Sequence, residues 1–336
     1  MIPIGVIGYG YWGPNLARNF NENPSTAVSY ICDLDDSRLK YARIKNPNSK
    51  TTSLYKDVLN DDGIQLIAIS TPVSSHYRLA LDALKAGKHV LLEKPMTLNA
   101  AHAEQLIEMA DKHNLMLFVD HTFIYTGAVQ HIKKMISSGD IGDMLYFDSV
   151  RVNLGLFQHD VNVIWDLAPH DFSVMDYWLD EKPVSVSATG ASRVHGKLED
   201  IAYVTLKCKS GLIAHFHVNW ISPVKIRRIM IGGSKKMVVF DDLSPDEKVK
   251  VYDKGVTLLN APKDKIYKNL IQYRIGDMQA PKIDSTEALK AEVAHIVDCI
   301  QSNKKPLTDG RAGLNVVRLL EAAQKSLNKG GSYVRV

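Results

Sequence analysis

Three side chains of this sequence could together take a proton from an alcohol: Lys94, Asp166 and His170. Asp166 and His170 stand four residues apart in WDLAPHD, so they share one face if this stretch is helical. Histidine suits proton transfer near neutral pH, and a carboxylate one turn away can fix its tautomer and raise its basicity. Pro169 is tolerated only near a helix start, which predicts that the pair lies at the amino end. The alternative is a purely structural pair.

Lys94 closes a short apolar run, LLEKP, that is typical of a buried strand. In an open parallel sheet, ligands bind in a crevice beyond the carboxyl ends of the strands. We therefore expect Lys94 to lie at such a crevice. The bond between Lys94 and Pro95 can also adopt the cis form. The alternative is a solvated surface lysine.

A glycine turn opens the chain in GVIGYGYWGPN, where Gly8, Gly10 and Gly13 match G-x-G-x-x-G between a predicted strand and a predicted helix. The first glycine permits the tight turn, the second lets a pyrophosphate approach the backbone, and the third lets the helix pack on the strand. Asp33 ends the next predicted strand, 20 residues after Gly13, where a carboxylate can accept hydrogen bonds from a ribose. These features predict a dinucleotide site; the alternative is a glycine turn in another doubly wound domain.

Asp33 favours NAD over NADP, because a carboxylate repels a 2′-phosphate and neither Leu34 nor Asp35 offers a positive charge. Tyr11 and Trp12 stand between the second and third glycines, near the expected pyrophosphate and nicotinamide ribose. They could cover the cofactor and exclude water, or they could pack against a second domain. Both alternatives stay open.

Two successive sequence patterns predict an α/β fold with two domains, 1–120 and 121–336. Up to about residue 120, apolar runs without alternation are separated by amphipathic stretches, which indicates a doubly wound parallel sheet covered on both faces. Beyond it, β-rich segments joined by short turns indicate a large, mostly antiparallel sheet. We expect a helix around WDLAPHD, a loop over 261–284 and two closing helices at 286–302 and 311–328.

Composition excludes several function classes. The 336 residues carry a net charge of +4, which gives no support to nucleic-acid binding, and no apolar run is long enough to span a membrane. Cys32, Cys208 and Cys299 are odd in number and far apart, so neither a disulfide framework nor a metal site is predicted. The glycine turn begins at Gly8, too early for a signal peptide, and we expect a cytoplasmic protein.

The sequence resembles the glucose–fructose oxidoreductase and inositol dehydrogenase (Gfo/Idh/MocA) family over nearly its whole length. The resemblance rests on the glycine turn, on STP at 70–72 followed by His76, on EKP at 93–95, on DLAPH at 166–170 and on the closing PLTDGRAGLNVVRLLEAAQKSL. It implies an N-terminal Rossmann domain, followed by an α/β domain with a large open sheet through which members form dimers or tetramers.

The resemblance also implies roles for single residues. Lys94 would hold the reacting hydroxyl and the nicotinamide, His170 would be the catalytic base, and Asp166 its carboxylate partner. The cofactor contacts it implies beyond Asp33 are Gly8, Gly10, Tyr11, Trp12, Gly13, Thr71, Pro72, His76, Glu93 and Lys94. Many members carry a glycine-rich stretch before the Asp-x-x-x-His, where this chain has QHDVNVIWDLAPHD, so the substrate side of the pocket is expected to differ.

The resemblance implies an NAD-dependent oxidoreductase that acts on a ring alcohol or ketone of a sugar. It is greatest to members that act on nucleotide-linked sugars for surface polysaccharides; the alternatives are free sugars or inositols, or a non-catalytic NAD-binding sensor. The substrate contacts we expect are Lys94, Tyr125, Arg151, Asn153, Asp166, His170 and Lys225. Lys225 stands with Arg227 and Arg228 in a basic stretch that could instead form a solvated edge or a subunit contact. If His170 is not the base, His121 or Tyr125 is the next candidate.

Overall fold

The computed structural model describes residues 1–155, 157–194, 196–258 and 271–336. The chain forms two compact units, the first comprising 1–126 and 286–321 and the second comprising 127–285 and 322–336. The first change of unit lies close to the expected boundary at residue 120. The segment 286–321, expected in the second domain, is part of the first unit instead, because its helices pack on the parallel sheet.

The first unit is built on a six-stranded sheet in which all neighbours are parallel. Its strands are β1 (Ile2–Ile7), β2 (Thr26–Cys32), β3 (Lys50–Thr52), β4 (Leu66–Ile69), β5 (His89–Glu93) and β6 (Leu117–Asp120). Their order is β3-β2-β1-β4-β5-β6, which reverses direction between β1 and β4. A doubly wound sheet binds its ligand at such a reversal, beyond the carboxyl ends of the strands.

Helices cover both faces of this sheet. They are α1 (Gly13–Glu22), α2 (Asp36–Lys45), α3 (Tyr55–Leu59), α4 (Val73–Lys85) and α5 (Ala100–Lys112), with a 3-10 helix at Thr122–Tyr125. Strand β4 is buried throughout and sends Ile67 and Ile69 into one core and Leu66 and Ala68 into the other. Burial on both faces confirms the interpretation of the unalternating apolar runs.

The second unit is built on a nine-stranded sheet with one parallel pair, β7 with β10, among its neighbours. Its elements up to residue 285 are α6 (Gly127–Ser137), β7 (Met144–Leu154), α7 (Val163–Trp178), β8 (Ser185–Ala191), β9 (Ile201–Lys207), β10 (Ile213–Asn219), β11 (Ile221–Gly233), β12 (Met237–Asp241), β13 (Val249–Tyr252), β14 (Gly255–Leu258), β15 (Ile271–Arg274) and β16 (Met278–Gln279). Strands β14 and β15 form a separate hairpin. The mostly antiparallel sheet predicted from the sequence is confirmed.

Alternation along the strands separates the two faces of the second sheet. On one face Phe216 of β10 meets Phe172 of α7 edge-on, with ring centroids 4.8 Å apart. On the other face Tyr203 and Ile213 keep 42% and 47% of their surface exposed. Helix α7 therefore covers one face only, and the exposed side chains lie on the opposite one.

The chain ends with α8 (Ala288–Ser302), α9 (Gly310–Leu327) and β17 (Val334–Arg335), which pairs with β8. Leu289 and Val293 of α8 join the core beside α1, and Leu314 and Val317 of α9 join the core beside α4 and α5. The loop expected over 261–284 contains β15 and β16, while 259–270 lie outside the described residues. In the described parts of the chain, none of the helices has the length and apolarity to cross a bilayer.

Candidate active site

The glycine turn has the shape that a dinucleotide requires. Gly8 has φ +95°, and a Cβ there would lie 2.6 Å from the carbonyl oxygen of Ser70. A Cβ on Gly13 would lie 2.2 Å from the carbonyl oxygen of Gly8, whereas one on Gly10 would meet only Arg38, at 3.4 Å. The backbone at Gly10 is therefore open to a ligand. Within the described residues, α1 has no side-chain cap and no acid in its first turn. Pro14 has no N–H, and the N–H groups of Asn15 and Leu16 donate to the carbonyl oxygen of Trp12, so the N–H of Gly13 is the group of this turn that a phosphate could bind.

Asp33 is held rigidly at the end of β2. Its carboxylate accepts hydrogen bonds from the backbone N–H of Tyr9 at 2.6 Å and of Asp35 at 2.9 Å, one on each oxygen. A carboxylate oxygen has about two acceptor sites, and Oδ2 also faces the guanidinium of Arg38, so Oδ1 is the oxygen that can still accept a ribose hydroxyl. NAD fits this site. The features that could hold it are the three glycines, the uncapped start of α1 and the carboxylate of Asp33.

Arg38 lies beside the candidate cofactor site, and the sequence analysis did not single it out. Its guanidinium lies 3.5 Å from the carboxylate of Asp33 and 3.6 Å from that of Asp35, beside Gly10. The available signal was its place in the first turns of α2, five residues after Asp33. Arg38 supplies the positive charge that the residues directly after Asp33 lack.

The two aromatic residues of the turn have different surroundings. Tyr11 is 85% exposed. The indole Nε1 of Trp12 donates a hydrogen bond to Oδ2 of Asp120 at 2.7 Å. Trp12 therefore joins the turn to the carboxyl end of β6.

Thr71, Pro72 and His76 lie at the junction of β4 and α4, where Thr71 is half-buried and Pro72 is exposed. His76 is 1% exposed, and its ring nitrogens lie 3.0 Å and 2.8 Å from the carbonyl oxygens of Pro95 and Thr71. Burial lowers the pKa of His76, so the neutral ring donates to one of these carbonyls. Both ring nitrogens therefore connect the two loops through their backbone carbonyls, and the contact of His76 with the cofactor stays a prediction.

Lys94 directly follows β5, at the edge of the sheet where ligands bind. The side chain is half-buried, and the bond to Pro95 is cis. The backbone N–H of Lys94 donates to Oε2 of Glu93 at 3.0 Å. Glu93 therefore fixes the start of the loop that carries Lys94, with its carboxyl turned back toward the protein.

Glu93 belongs to a buried group of acids that the sequence did not reveal. Glu93 is the register partner of Asp120 on the neighbouring strand, and Glu292 also interacts with Asp120. Asp120 and Glu292 are 2% and 0% exposed. Burial, followed by the charge of Asp120, raises the pKa of Glu93 and of Glu292 well above the ordinary value. The signal for Glu292 was its place among the apolar residues of α8 that face the core.

The two alternative bases are both buried. Burial lowers the pKa of His121 to about 4, so its ring is neutral at physiological pH. Tyr125 is 6% exposed, its hydroxyl lies 3.0 Å from that of Thr308, and burial raises its pKa. The hydroxyl of Tyr125 is thus bonded inside the first unit, and its contact with the substrate stays a prediction.

Asp166 and His170 lie one turn apart on α7, both half-buried. The helix begins at Val163, after an Asn162 cap that accepts from the N–H of Trp165 at 3.3 Å. Pro169 therefore lies inside the helix, which corrects the expected start. Oδ2 of Asp166 accepts a hydrogen bond from the indole Nε1 of Trp220 at 2.9 Å, an orienting contact that the sequence did not predict.

Arg151 forms a buried ion pair on the covered face of the second sheet. It shares the covered face of β7 with Phe147 and is 4% exposed, and its guanidinium forms two hydrogen bonds with Asp171, at 2.9 and 2.8 Å. The pair with Asp171 uses two of the five donors of the guanidinium, and the substrate contact of Arg151 stays a prediction. Asn153, two residues further along β7, is half-buried.

The basic residues of β11 differ in their surroundings: the two arginines form ion pairs, and the lysine is exposed. Arg227 pairs with Asp242 at 3.4 Å and Arg228 with Asp241 at 2.8 Å, on or just beyond the neighbouring β12. Lys225 is exposed. Lys225 is therefore the cation of this stretch that most readily meets an anionic ligand.

Two family models match the chain. Residues 2–121 match "Oxidoreductase family, NAD-binding Rossmann fold", and residues 129–239 match "GFO/IDH/MocA C-terminal domain". Among curated relatives, UDP-N-acetylglucosamine 3-dehydrogenase of Acidithiobacillus ferrooxidans is 26% identical over 318 residues, 93% of each chain. Myo-inositol 2-dehydrogenase of Thermotoga maritima is 25% identical over 347 residues, covering 97% of this chain and 96% of its own.

Solved structures share the fold. The structure of UDP-N-acetylglucosamine 3-dehydrogenase GnnA from Acidithiobacillus ferrooxidans superposes with a TM-score of 0.83 at 22% identity and 98% coverage of both chains. GenD2 from gentamicin A biosynthesis, solved in complex with NAD, gives a TM-score of 0.83 at 20% identity, covering 100% of this chain and 96% of its own. At these identities, the likeness concerns the fold.

Proposed function

Because the chain belongs to the Gfo/Idh/MocA family of oxidoreductases with an NAD-binding Rossmann fold, we propose that it transfers a hydride between NAD and a ring alcohol or ketone of a sugar. The observation that carries the proposal is the pair Asp166 and His170 on α7, with Asp166 oriented by Trp220. A sensor that only binds NAD has no need of such a pair.

NAD, held by the glycine turn and Asp33, would supply the hydride acceptor for this reaction, and the side chains of the protein manage the proton and the charge. The hydroxyl proton passes to a ring nitrogen of His170, which leaves a carbonyl on the substrate. Asp166 fixes the orientation of the imidazole, and Trp220 fixes Asp166. Lys94 stabilises the negative charge that develops on the oxygen.

We propose a nucleotide-linked sugar as substrate. A relative of comparable length is a UDP-N-acetylglucosamine dehydrogenase, and Lys225 offers an exposed cation that a pyrophosphate could bind. A second candidate, a free sugar or inositol, is supported by the inositol dehydrogenase among the relatives. The two candidate substrates differ in charge, because a nucleotide-linked sugar carries a pyrophosphate and a free sugar or inositol does not.

A thermal-shift screen with NAD present tests this choice. UDP-sugars, free hexoses and inositols are compared at equal concentration, since a ligand at a hundredfold excess over Kd stabilises by about 2.7 kcal/mol. Lys225→Ala should weaken the shift given by a UDP-sugar and leave that of a free sugar unchanged. Lys209→Ala, which removes an exposed lysine from the β9–β10 turn, is the matched control. Equal loss for both ligands contradicts the role of Lys225, and a shift given only by inositols selects the second candidate.

We further propose that the chain acts in the cytoplasm as a homodimer or homotetramer. The uncovered face of the second sheet supports the assembly, because it exposes Tyr203 and Ile213 with Tyr146, which is 37% exposed. These side chains lie on adjoining strands, since Ile213 of β10 is in register with Tyr146 of β7.

A further inference from the structure

The acids Glu93, Asp120 and Glu292, which we call the carboxyl cluster, come from three separate elements of the first unit. Glu93 ends β5, Asp120 ends β6, and Glu292 lies on the core-facing side of α8. Trp12, at the start of α1, reaches the same cluster through its hydrogen bond to Asp120. The cluster thus connects the cofactor turn with the strand that carries Lys94.

The cluster is held together by protons. Both carboxyl oxygens of Glu292 and Oε1 of Glu93 are buried and receive no N–H or O–H donor from the described residues when the acids are taken as ionised. Two carboxyl groups can be joined by a hydrogen bond only if one carries a proton. For Asp120 to bond both glutamates, two protons must lie among the three acids, and the raised pKa of Glu93 and of Glu292 favours the glutamates as the groups that carry them.

Asp120 is the natural acceptor of the cluster. Its Oδ2 receives the indole N–H of Trp12 at 2.7 Å, and its Oδ1 receives the hydroxyl of Thr122. With the two glutamic acids as further donors, its roughly four acceptor sites are filled. Loss of either glutamic proton would place a second buried negative charge beside Asp120 and remove one donor.

We propose that Glu292, as a carboxylic acid, is a positioning residue for NAD: it holds Asp120 as the acceptor for Trp12 and so fixes the turn at which the pyrophosphate binds. The proposal concerns NAD binding alone and does not depend on which sugar is the substrate. Its consequence is that NAD binds less tightly at alkaline pH, when the cluster loses a proton.

Other titratable and charged groups near Glu292 could also change charge in this pH range or alter its pKa. Asp120 and Glu93 act directly on Glu292, with Lys94, His121 and Tyr125 around them. On α8 itself, His295 faces the ring of Tyr125, and Arg18 pairs with Glu287 at the exposed start of the helix. His121 is already neutral in this range, and the pKa of Tyr125 is raised, so neither takes up the charge change first. Lys94 favours the ionised form of Glu93, and a Gln at 292 leaves that effect in place.

The test measures NAD⁺ affinity by calorimetry from pH 6 to 9.5, without a sugar. Glu292→Gln keeps the shape and a donor that does not titrate, so its NAD⁺ affinity should match the wild type at pH 6 and should not show the alkaline loss. Glu292→Ala should bind NAD⁺ roughly tenfold more weakly throughout, the loss expected for one hydrogen bond of about 1.4 kcal/mol. Glu287→Gln, on the same helix, should follow the wild type. An identical alkaline loss in wild type and Glu292→Gln, or no loss in the wild type, overturns the proposal.

Infrared spectroscopy provides a second measurement that remains valid if Glu292→Ala does not fold. The wild type at neutral pH should show a carbonyl band of buried carboxylic acid that disappears at alkaline pH and is reduced in Glu292→Gln. An unchanged band in that variant also overturns the proposal. Failure of the sugar assignment would alter neither measurement, so the two proposals fail separately.

Discussion

The hydrogen bond of 2.7 Å between Nε1 of Trp12 and Oδ2 of Asp120 joins the glycine turn to the end of β6, and the two residues lie 108 positions apart in the sequence. Trp12 precedes the first residue of α1, and Asp120 is the last residue of β6. An aromatic residue inside the glycine turn thus has a polar function, since its indole N–H anchors the turn at a buried carboxylate. Tyr11, its exposed neighbour, has no such function in the structure as described.

Trp12→Phe should lower the free energy of unfolding while Tyr11→Phe should not. The first variant keeps an aromatic ring and removes one hydrogen bond to a carboxylate, a loss of about 1.5–3 kcal/mol. The second removes a hydroxyl from a side chain that is 85% exposed. Urea denaturation of both variants measures the difference, and equal stability of the two would contradict the anchoring role.

Stability should fall as pH rises above the ordinary glutamate range, and part of this fall should belong to Glu292. Its pKa is raised in the folded state, so the native protein holds a proton that the unfolded chain releases above about pH 4.3. The stability from that proton is complete below about pH 4.3 and is lost as pH rises toward the folded pKa. Each such proton gives a slope of about 1.4 kcal/mol per pH unit.

Denaturation of Glu292→Gln between pH 5 and 8 should therefore show a shallower decline than that of the wild type. Glu287→Gln is the control, because the Arg18 hydrogen bond lowers the pKa of Glu287 and its effect is confined to more acidic solutions. Above pH 5 the control should parallel the wild type. Parallel slopes for all three proteins would mean that Glu292 is ionised in the native state.

Asp33→Ala should narrow the preference for NAD over NADP, and Arg38 should account for part of the change. Without the carboxylate, the guanidinium that lies 3.5 Å from Asp33 is free to pair with a 2′-phosphate. The double variant Asp33→Ala/Arg38→Ala removes that cation and should lose the gain in NADP affinity. Titration of both cofactors checks this, and a double variant that binds NADP as well as the single one would exclude Arg38.

The sequence was sufficient to predict those parts of the fold for which a residue pattern is compatible with a single local structure. The unalternating apolar runs predicted the buried parallel strands, and the spacing of Gly8, Gly10 and Gly13 predicted the turn. The three-residue β3 was missed because so short an edge strand has almost no pattern of its own. The return of 286–321 to the first unit was missed because an apolar helix face does not indicate which sheet it covers.

Omissions at the site had a different cause, since they concern partners distant in sequence. Arg151 was expected at the substrate because RVNLGLF leads from a strand toward the expected active site, and that pattern could not show the pair that Arg151 forms with Asp171 on α7. Glu292 was overlooked because a charged residue is normally assigned to a solvated surface, and only its burial shows that it must carry a proton. Trp220 became relevant only when folding brought it to Asp166.

Ile213→Glu should convert the proposed oligomer to a monomer. The substitution places a charge on the uncovered sheet face, where Ile213 is 47% exposed, so the folded chain tolerates it while a subunit contact would not. Val194→Glu is the control, because Val194 is 67% exposed and lies outside the strands of that sheet. Sedimentation equilibrium measures the mass. If Ile213→Glu keeps the mass of the wild type, the assembly uses another surface.

His170→Ala should lower turnover by about 10²–10⁴-fold, the usual contribution of a general base, and leave NAD affinity nearly unchanged. Lys94→Ala should be comparably damaging, because the charge on the substrate oxygen loses its cation. Asp166→Ala should be milder if His170 keeps its orientation. Trp220→Phe should reduce turnover less than Asp166→Ala does, because it removes only the hydrogen bond that orients Asp166.

The pH dependence of turnover separates a proton acceptor from a residue that merely shapes the pocket. In the direction of alcohol oxidation, the wild-type rate should rise with pH through the range where an imidazole loses its proton, because only the neutral ring can accept one. That rise should vanish in His170→Ala and persist in Lys94→Ala and Trp220→Phe, whose losses concern charge and orientation. A His170→Ala enzyme with near-native turnover and the same pH profile would place the base elsewhere. His121 would then be the residue to replace next, because its buried ring is neutral, whereas the raised pKa of Tyr125 opposes its ionisation.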